Sequence, residues 1–333
     1  MLKTRQDLIE APMDLRPHIV LLGAGASRAA CPTGDAGGRL LPVMDDLIDV
    51  VGLQQLIDRV RPEGLQDRNF EAFYGQMIAD PKCASQVKEI ERHIDSYLSS
   101  LSLPTHTTIY DQLLVSLRPR DAVFTFNWDP FLFDAYQRNR YSVSLPEIFF
   151  PHGNVRIGAC REHDLWGDRN GVCLKCSQRL SDVPLLYPIA RKDYSNNDYI
   201  RHSWEAAKTL FKDAFTLTIF GYSAPDSDKD AKELLRSAWL DRSDRKMEHI
   251  EIIDIADHSY LHDCWSPFTP TFHYDIVRIF EQSRLARWPR RSGESIWFPM
   301  TQGIPCEDFP LPISDSLEEL QAFVGEIARH EKE

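Results

Sequence analysis

Five short stretches of the chain are almost wholly apolar, and each is rich in β-branched or aromatic residues. They lie at 18–22, 122–126, 148–150, 215–220 and 250–255. Apolar runs of this length without alternation fit strands buried on both faces, the usual state of a parallel sheet. Between them the spacing changes to a helical period, at 107–117, 198–212 and 230–239. Strands alternating with helices predict an open α/β sheet of Rossmann-like type. The first strand ends at Gly23, where a tight turn is expected.

Two stretches break this rhythm. Residues 35–105 carry apolar positions at helical spacing (Leu47, Ile48, Val51, Leu53, Leu56, Ile57, then Ile90, Ile94 and Leu98) and predict a helical insertion. Residues 154–182 are poor in aliphatics and rich in Gly, Cys, Arg and Asp, which predicts a small lobe held by a metal. The pattern weakens after Asp257. Several prolines and aromatics over 258–312 suggest a segment wrapping the surface. Leu317, Leu320, Phe323, Val324 and Ile327 then form one stripe of a terminal amphipathic helix. The expected organisation is a core from 1–34, 106–153 and 183–257, an insertion at 35–105, a metal lobe at 154–182 and an extension at 258–333.

Composition narrows the function classes. Over 333 residues, 43% are apolar and 26% charged, enough to bury a core, so disorder is excluded as the main state. Lys and Arg number 38 against 50 Asp and Glu, a net charge of −12. Such a chain is a poor non-specific ligand for nucleic acid or an anionic membrane surface, and neither partner is expected. No window of 18 apolar residues and no signal-peptide core are present, so a cytoplasmic protein without a membrane span is expected. The seven cysteines are an odd number, which argues against a disulfide framework. Cys160, Cys173 and Cys176 fall within 17 residues, whereas Cys31, Cys83, Cys264 and Cys306 are scattered.

Six motifs carry candidate chemistry. Gly23-Ala24-Gly25-Ala26-Ser27 follows the first strand, where two glycines let the backbone approach a pyrophosphate. A plain strand-to-helix turn is the simpler reading. The third glycine of the dinucleotide fingerprint is replaced by Arg28, and no acidic residue ends a strand about 20 residues on, which disfavours a hydride-transferring dehydrogenase. Thr125-Phe126-Asn127-Trp128-Asp129 closes the second strand, at the sheet end where such folds bind ligands. Capping of the next helix is the competing role for Asn127 and Asp129. Pro151-His152-Gly153 puts a histidine, suited to proton transfer near neutral pH, at a third strand end.

The Cys160-x2-His163-x9-Cys173-x2-Cys176 pattern offers four N/S ligands in two short-spaced pairs, the signature of a tetrahedral zinc site. Four protein ligands would close the shell, so the site should be structural; Asp164 is the alternative to His163. Gly221-Tyr222-Ser223-Ala224-Pro225-Asp226 ends the fourth strand and could hold a phosphate, with Asp226 or Asp228 capping the next helix. The Asp-rich run from Asp226 is no calcium loop, because Ala231 and Ser237 stand where Gly and Glu are required. Asp254, with Asp257 as competitor, ends the fifth strand, where a carboxylate can accept hydrogen bonds from ribose hydroxyls.

In this order the motifs resemble the sirtuin (Sir2) superfamily over roughly residues 18–257. The glycine loop resembles its GAGxS motif. Pro104-Thr105-His106 and the 125–129 segment resemble its P-x-x-H and T-x-N-x-D segments, and Pro151-His152-Gly153 its catalytic HG. The Cys/His cluster follows directly, where sirtuins carry a zinc ribbon. Gly221-Tyr222-Ser223 is similar to the GTS turn.

The departures are specific. The GIPDFR segment of the deacylases is replaced by Cys31-Pro32-Thr33-Gly34-Asp35. His163 stands for a ribbon cysteine, and Tyr222 for the Thr of GTS. The usual acyl-peptide-binding segment is absent between Tyr187 and Ala214. Residues 187–194 look more like the divergent Sir2-like proteins of bacterial anti-phage defence, which hydrolyse NAD+.

The resemblance implies NAD+ as substrate and a structural zinc. It implies His152, Asn127 and Asp129 as catalytic residues, Gly23, Ala24, Gly25, Ser27, Gly221 and Ser223 on the pyrophosphate, and Asp254 on the adenosine ribose. It also implies a gated effector, controlled by homo-oligomerisation or a separate sensor protein. NAD-dependent protein deacylation and a non-catalytic NAD- or ADP-ribose-binding subunit are the alternatives.

Overall fold

The computed structural model describes residues 2–60, 69–188, 194–195, 197–223, 228–242, 247–268 and 273–331. After a short helix α1 (Arg5–Glu10), strand β1 (His18–Leu22) runs into helix α2 (Ala24–Ala30). Helices α3 (Leu47–Val51), α4 (Gln54–Val60), α5 (Phe70–Ala79) and α6 (Ala84–Ser100) form the insertion. Helix α7 (Ile109–Val115), β2 (Ala122–Thr125), α8 (Phe131–Asn139) and β3 (Glu147–Phe149) return the chain to the sheet. Strands β4 (Ile157–Cys160), β5 (Leu165–Asp168) and β6 (Ser181–Asp182) build a small lobe. Then follow α9 (Asp198–Asp213), β7 (Thr216–Phe220), α10 (Lys229–Leu240), β8 (His249–Ile253), α11 (His258–Trp265) and β9 (Tyr274–Val277). Helices α12 (Arg284–Arg287), α13 (Ser292–Gln302) and α14 (Leu317–Ala328) complete the chain.

Among the described residues the main sheet has six strands in the order β3-β2-β1-β7-β8-β9, and every neighbouring pair is parallel. This is a doubly wound sheet, of the open parallel α/β class that the sequence predicts. Every residue of β1, β2, β7 and β8 is buried, as strands covered on both faces require. The order reverses between β1 and β7, so the chain leaves these adjacent strands in opposite directions. A crevice opens at their carboxyl ends.

The insertion is helical, with Leu47, Ile48, Leu53, Ile57, Ile90, Ile94 and Leu98 in the same core as the sheet. The lobe is a three-stranded antiparallel sheet ordered β5-β4-β6. The terminal helix buries Leu320, Val324 and Ile327.

The stretch after Asp257 does more than wrap. It supplies β9, the sixth strand, which pairs with β8 from Ile250↔Tyr274 to Ile253↔Val277. As an edge strand β9 is only partly buried and carries Asp275, so it lacks the continuous apolar pattern of its neighbours. The same stretch covers a polar seam on the sheet. His18 Nδ1 and Ser292 Oγ lie 2.8 Å apart, His18 Nε2 and Thr218 Oγ1 also 2.8 Å, and the Arg284 N–H donates to Glu251 Oε1 at 2.9 Å. Among the described residues no helix is long and apolar enough to cross a membrane.

Candidate functional site

The two glycine-bearing turns at the switch point pack directly on one another. Gly25 N–H donates to Gly221 O at 2.9 Å, and Gly23 N–H to Phe220 O at 3.0 Å. Gly221 has φ +58°, and a Cβ there would lie 2.2 Å from Ala26 N. Only glycine permits that approach. Gly23 caps α2, so the loop opens a helix as expected, although the Gly25 and Ala26 amides are already engaged within the fold.

Above this floor lies a cavity of 460 Å³, within the range of small-molecule sites. The tips of β1, β2, β7 and β8 reach it through Gly23, Asn127, Gly221 and Asp254. Ala24, Gly25, Asp129, His152 and Ser223 line it too. Residues 224–227, the rest of the fourth-strand motif, lie outside the described residues. Asp254 and its competitor part company here. Asp254 lines the cavity, whereas Asp257 caps α11 by accepting from Ser259 N–H at 2.9 Å. Asp228 holds the N-cap position of α10, but its carboxylate takes the Tyr222 hydroxyl at 3.1 Å.

Asn127 is tied inward. Its Nδ2 donates to Gly23 O and Ser27 Oγ, both at 2.8 Å, with a longer contact to Tyr110 OH at 3.2 Å. Both amide hydrogens are thereby committed, which leaves the carbonyl oxygen as the atom able to meet a ligand. Asp129 does two things at once. It accepts from Phe131 N–H at 3.1 Å at the start of α8, and it borders the cavity. Burial pushes its carboxyl up to about 6, against the opposing pull of the Ser27 hydroxyl and the Phe131 amide.

Ser27 does not line the cavity. It is fully buried beneath it and donates from Oγ to Asp129 Oδ2 at 2.8 Å.

His152 follows β3 in a turn that only glycine can complete. Gly153 has φ +77°, and a Cβ there would meet Pro184 O at 2.2 Å. The imidazole, 3% exposed, stacks on Phe126 at 4.3 Å and lies 6.2 Å from the Tyr194 ring and 6.1 Å from Trp204. Leu186 N–H donates to His152 O at 2.9 Å, which lays the following segment against the turn. Residues 189–193, within the stretch read as divergent, lie outside the described residues.

Two contributions escape sequence reasoning. The insertion supplies an apolar wall through Leu41, Val43, Met44, Leu47 and Leu98. The unbroken Leu40–Met44 run, too proline-bound for a strand, was the available signal. Tyr110, fully buried on α7, reaches Ser27 Oγ at 2.5 Å. Nothing in its spacing distinguishes it from a core aromatic.

The candidate metal centre is separate. The ligand atoms of Cys160, His163, Cys173 and Cys176 all lie within 4.8 Å of one another. Cys160 Sγ is 3.6 Å from His163 Nδ1 and 3.7 Å from Cys176 Sγ, and Cys173 Sγ is 3.8 Å from His163 Nδ1. A zinc tetrahedron with bonds of about 2.0–2.3 Å has edges of about 3.5–3.8 Å, which these three donor pairs match. The amides of Cys176 and Lys175 lower the Cys173 thiol to about 6, favouring the thiolate a metal needs.

No protein-family model and no curated protein sequence matches the chain. Solved structures align along most of it. A mutant Sir2 homologue bound to ADP-ribose is 12% identical, with 97% of this chain and 94% of that one covered and a TM-score of 0.41. A Sir2 homologue–NAD complex is 13% identical, covering 89% and 93%, with a TM-score of 0.39. A sirtuin solved for the structural basis of its substrate affinity is 14% identical, covering 87% and 96%, with a TM-score of 0.42. Likenesses this distant decide neither ligand nor reaction, which rest on the chain's own residues.

Proposed function

We propose that this protein is a Sir2-like NAD+ hydrolase that cleaves NAD+ to nicotinamide and ADP-ribose. The observation that carries the reading is convergence: Asn127, Asp129 and His152 border one cavity with the paired glycine turns and Asp254, at the switch point of a doubly wound sheet. Adenine dinucleotides bind across such a crevice. Gly23, Ala24, Gly25, Gly221 and Ser223 border the pyrophosphate, the glycines by letting the backbone approach closely since their amides are spent within the fold, and the Asp254 carboxylate takes the adenosine ribose.

The reaction breaks the bond between ribose C1′ and the pyridinium nitrogen. The bonding pair goes to the nitrogen, neutralising nicotinamide, and positive charge develops on the sugar. Water oxygen then bonds to C1′ and its proton passes to His152. The outward carbonyl of Asn127 orients the ribose and the water, so much of the rate gain is positioning. Asp129 holds the nicotinamide side. Zinc, held by Cys160, His163, Cys173 and Cys176, supplies folding energy to the lobe.

Water is favoured over acyl-lysine as the acceptor because His152 is walled by Phe126, Tyr194 and Trp204, with the segment after Pro184 drawn over it. Such a hydrolase would drain the NAD+ of its own cell. The reading therefore includes a gate, set by self-association or a separate sensor protein, and a role as effector in anti-phage defence.

Purified protein is incubated with NAD+, with and without acetyl-lysine peptide, and nicotinamide and ADP-ribose are quantified. Equal amounts of both without peptide support the hydrolase. Nicotinamide released only with peptide would make the protein a deacylase. Saturable ADP-ribose binding without turnover, even after enforced oligomerisation, would leave a non-catalytic binding subunit.

A further inference from the structure

Four polar side chains meet beneath the cavity: Tyr110 on α7, Ser27 on α2, and Asn127 and Asp129 after β2. Tyr110 and Ser27 are fully sealed from solvent, so their donors must be satisfied within the group. Proton counting leaves one arrangement. An ionised Asp129 has no hydrogen to give, so the single Ser27 hydrogen goes to it. The Ser27 oxygen then receives from the Asn127 amide and the Tyr110 hydroxyl. The tyrosine's only hydrogen is spent there, and its oxygen accepts the longer Asn127 contact. Gly23 O alone suffices to turn the Asn127 amide inward, since a flipped amide would set two carbonyl oxygens against each other. The Tyr110 hydroxyl therefore acts on Ser27.

We propose that Tyr110 is a positioning residue of this site, acting on Asp129 through Ser27. By donating to Ser27 Oγ it holds the serine in the rotamer that serves the carboxylate and polarises the O–H that Asp129 accepts. This inference rests on the NAD+-hydrolase reading for its catalytic consequence, but the link itself is a property of the protein alone. Burial is the main force raising Asp129, and the Ser27 hydrogen bond opposes it. Weakening that bond moves the carboxyl further up. The other titratable groups around Asp129 are Asp134 on α8, paired with Arg156, and Cys31 at the end of α2. His152 lines the same cavity. Of these, Cys31 also interacts with the Tyr110 hydroxyl, and the substitution below leaves that thiol in place.

The test is Tyr110→Phe, which keeps the ring and removes only the hydroxyl. Asp129 is titrated by carbon NMR of protein labelled at the aspartate carboxyls, with Asp129→Asn assigning the signal. The expected result is a titration displaced upward by about half a unit to one unit. With it, kcat falls about three- to tenfold, KM stays within about twofold and the acid limb of the pH profile moves up, the scale of one hydrogen bond. A purely structural tyrosine would lower the melting temperature and leave the Asp129 titration in place, which would overturn the proposal. Ser27→Ala cuts the same link at its midpoint and serves if Tyr110→Phe does not fold; an unmoved Asp129 there refutes the link equally. Wild-type protein with no turnover, in which Asp129 still responds to Tyr110→Phe, would sink the hydrolase reading and leave the link standing.

Discussion

The side-chain amide of Asn127 donates to the backbone oxygen of Gly23 at 2.8 Å, tying the tip of β2 to the turn that ends β1. One hydrogen bond thus aligns the candidate catalytic amide with the candidate phosphate loop. Asn127→Ala is expected to lower NAD+ turnover by about a hundredfold or more, the scale of losing a preorganised polar group. Asn127→Asp, nearly the same shape, should do no better. It places an acceptor against Gly23 O and a charge in a buried site, and should destabilise the fold by about 1–3 kcal/mol. Steady-state kinetics and thermal melts of both variants check this. An active Asn127→Asp protein would contradict the tie.

Gly221→Ala tests the contact between the two turns. The added methyl meets Ala26 N at 2.2 Å, and the residue must hold a left-handed φ of +58°. The left-handed conformation alone costs about 1–2 kcal/mol. The turns must also separate, so ADP-ribose affinity should fall at least tenfold by calorimetry. Gly325→Ala, at a helical glycine with nothing within 4 Å, should leave binding unchanged.

Much of this arrangement is legible in the sequence. The four central strands declared themselves because burial on both faces leaves no polar position to break the run. Their termini, Gly23, Asn127, Gly221 and Asp254, then had to converge because parallel strands all end on the same side. Strand β9 was not legible, since an edge strand with Asp275 reads like a surface segment. Tyr110 was not either, because a sealed hydroxyl and a core aromatic look identical in one dimension. The glycine-loop pattern points Ser27 at a phosphate; its hydroxyl donates instead to Asp129, where α2 packs on α7.

The polar seam across the sheet makes stability depend on pH in two opposing ways. Burial raises the Glu251 carboxyl to about 7, above its usual 4.5. Its folded form holds the proton more tightly, so its stabilising share is complete below about pH 4.5 and is lost as pH climbs through 7. The full swing is about 3 kcal/mol. Burial lowers His18 to about 3, so its share is complete above about pH 6.5 and is lost as pH falls toward 3. Glu251→Gln removes the first dependence and leaves the second. Denaturant unfolding from pH 5 to 9 should show the variant gaining on wild type as pH rises. A constant difference would mean that Glu251 is ionised in the fold throughout.

Arg169 ties the lobe that bears the Cys/His cluster to the helical insertion. Arg169, just past β5, donates to Asp182 at 2.7 Å and to Asp95 of α6 at 2.8 Å. Leu98, one turn further along α6, belongs to the cavity wall. Cys173→Ser should abolish one equivalent of zinc by metal analysis and lower the melting temperature by about 10 °C or more, because a closed structural site contributes folding energy outright. Arg169→Ala separates metal from wall. It should keep zinc yet weaken ADP-ribose binding several-fold, since α6 loses its tether while the Cys/His cluster stays whole. Full ligand affinity in Arg169→Ala together with lost affinity in Cys173→Ser would show that the lobe acts on the cavity by another route, with Arg156, which reaches Asp134 and Leu101 O, the next bridge to cut.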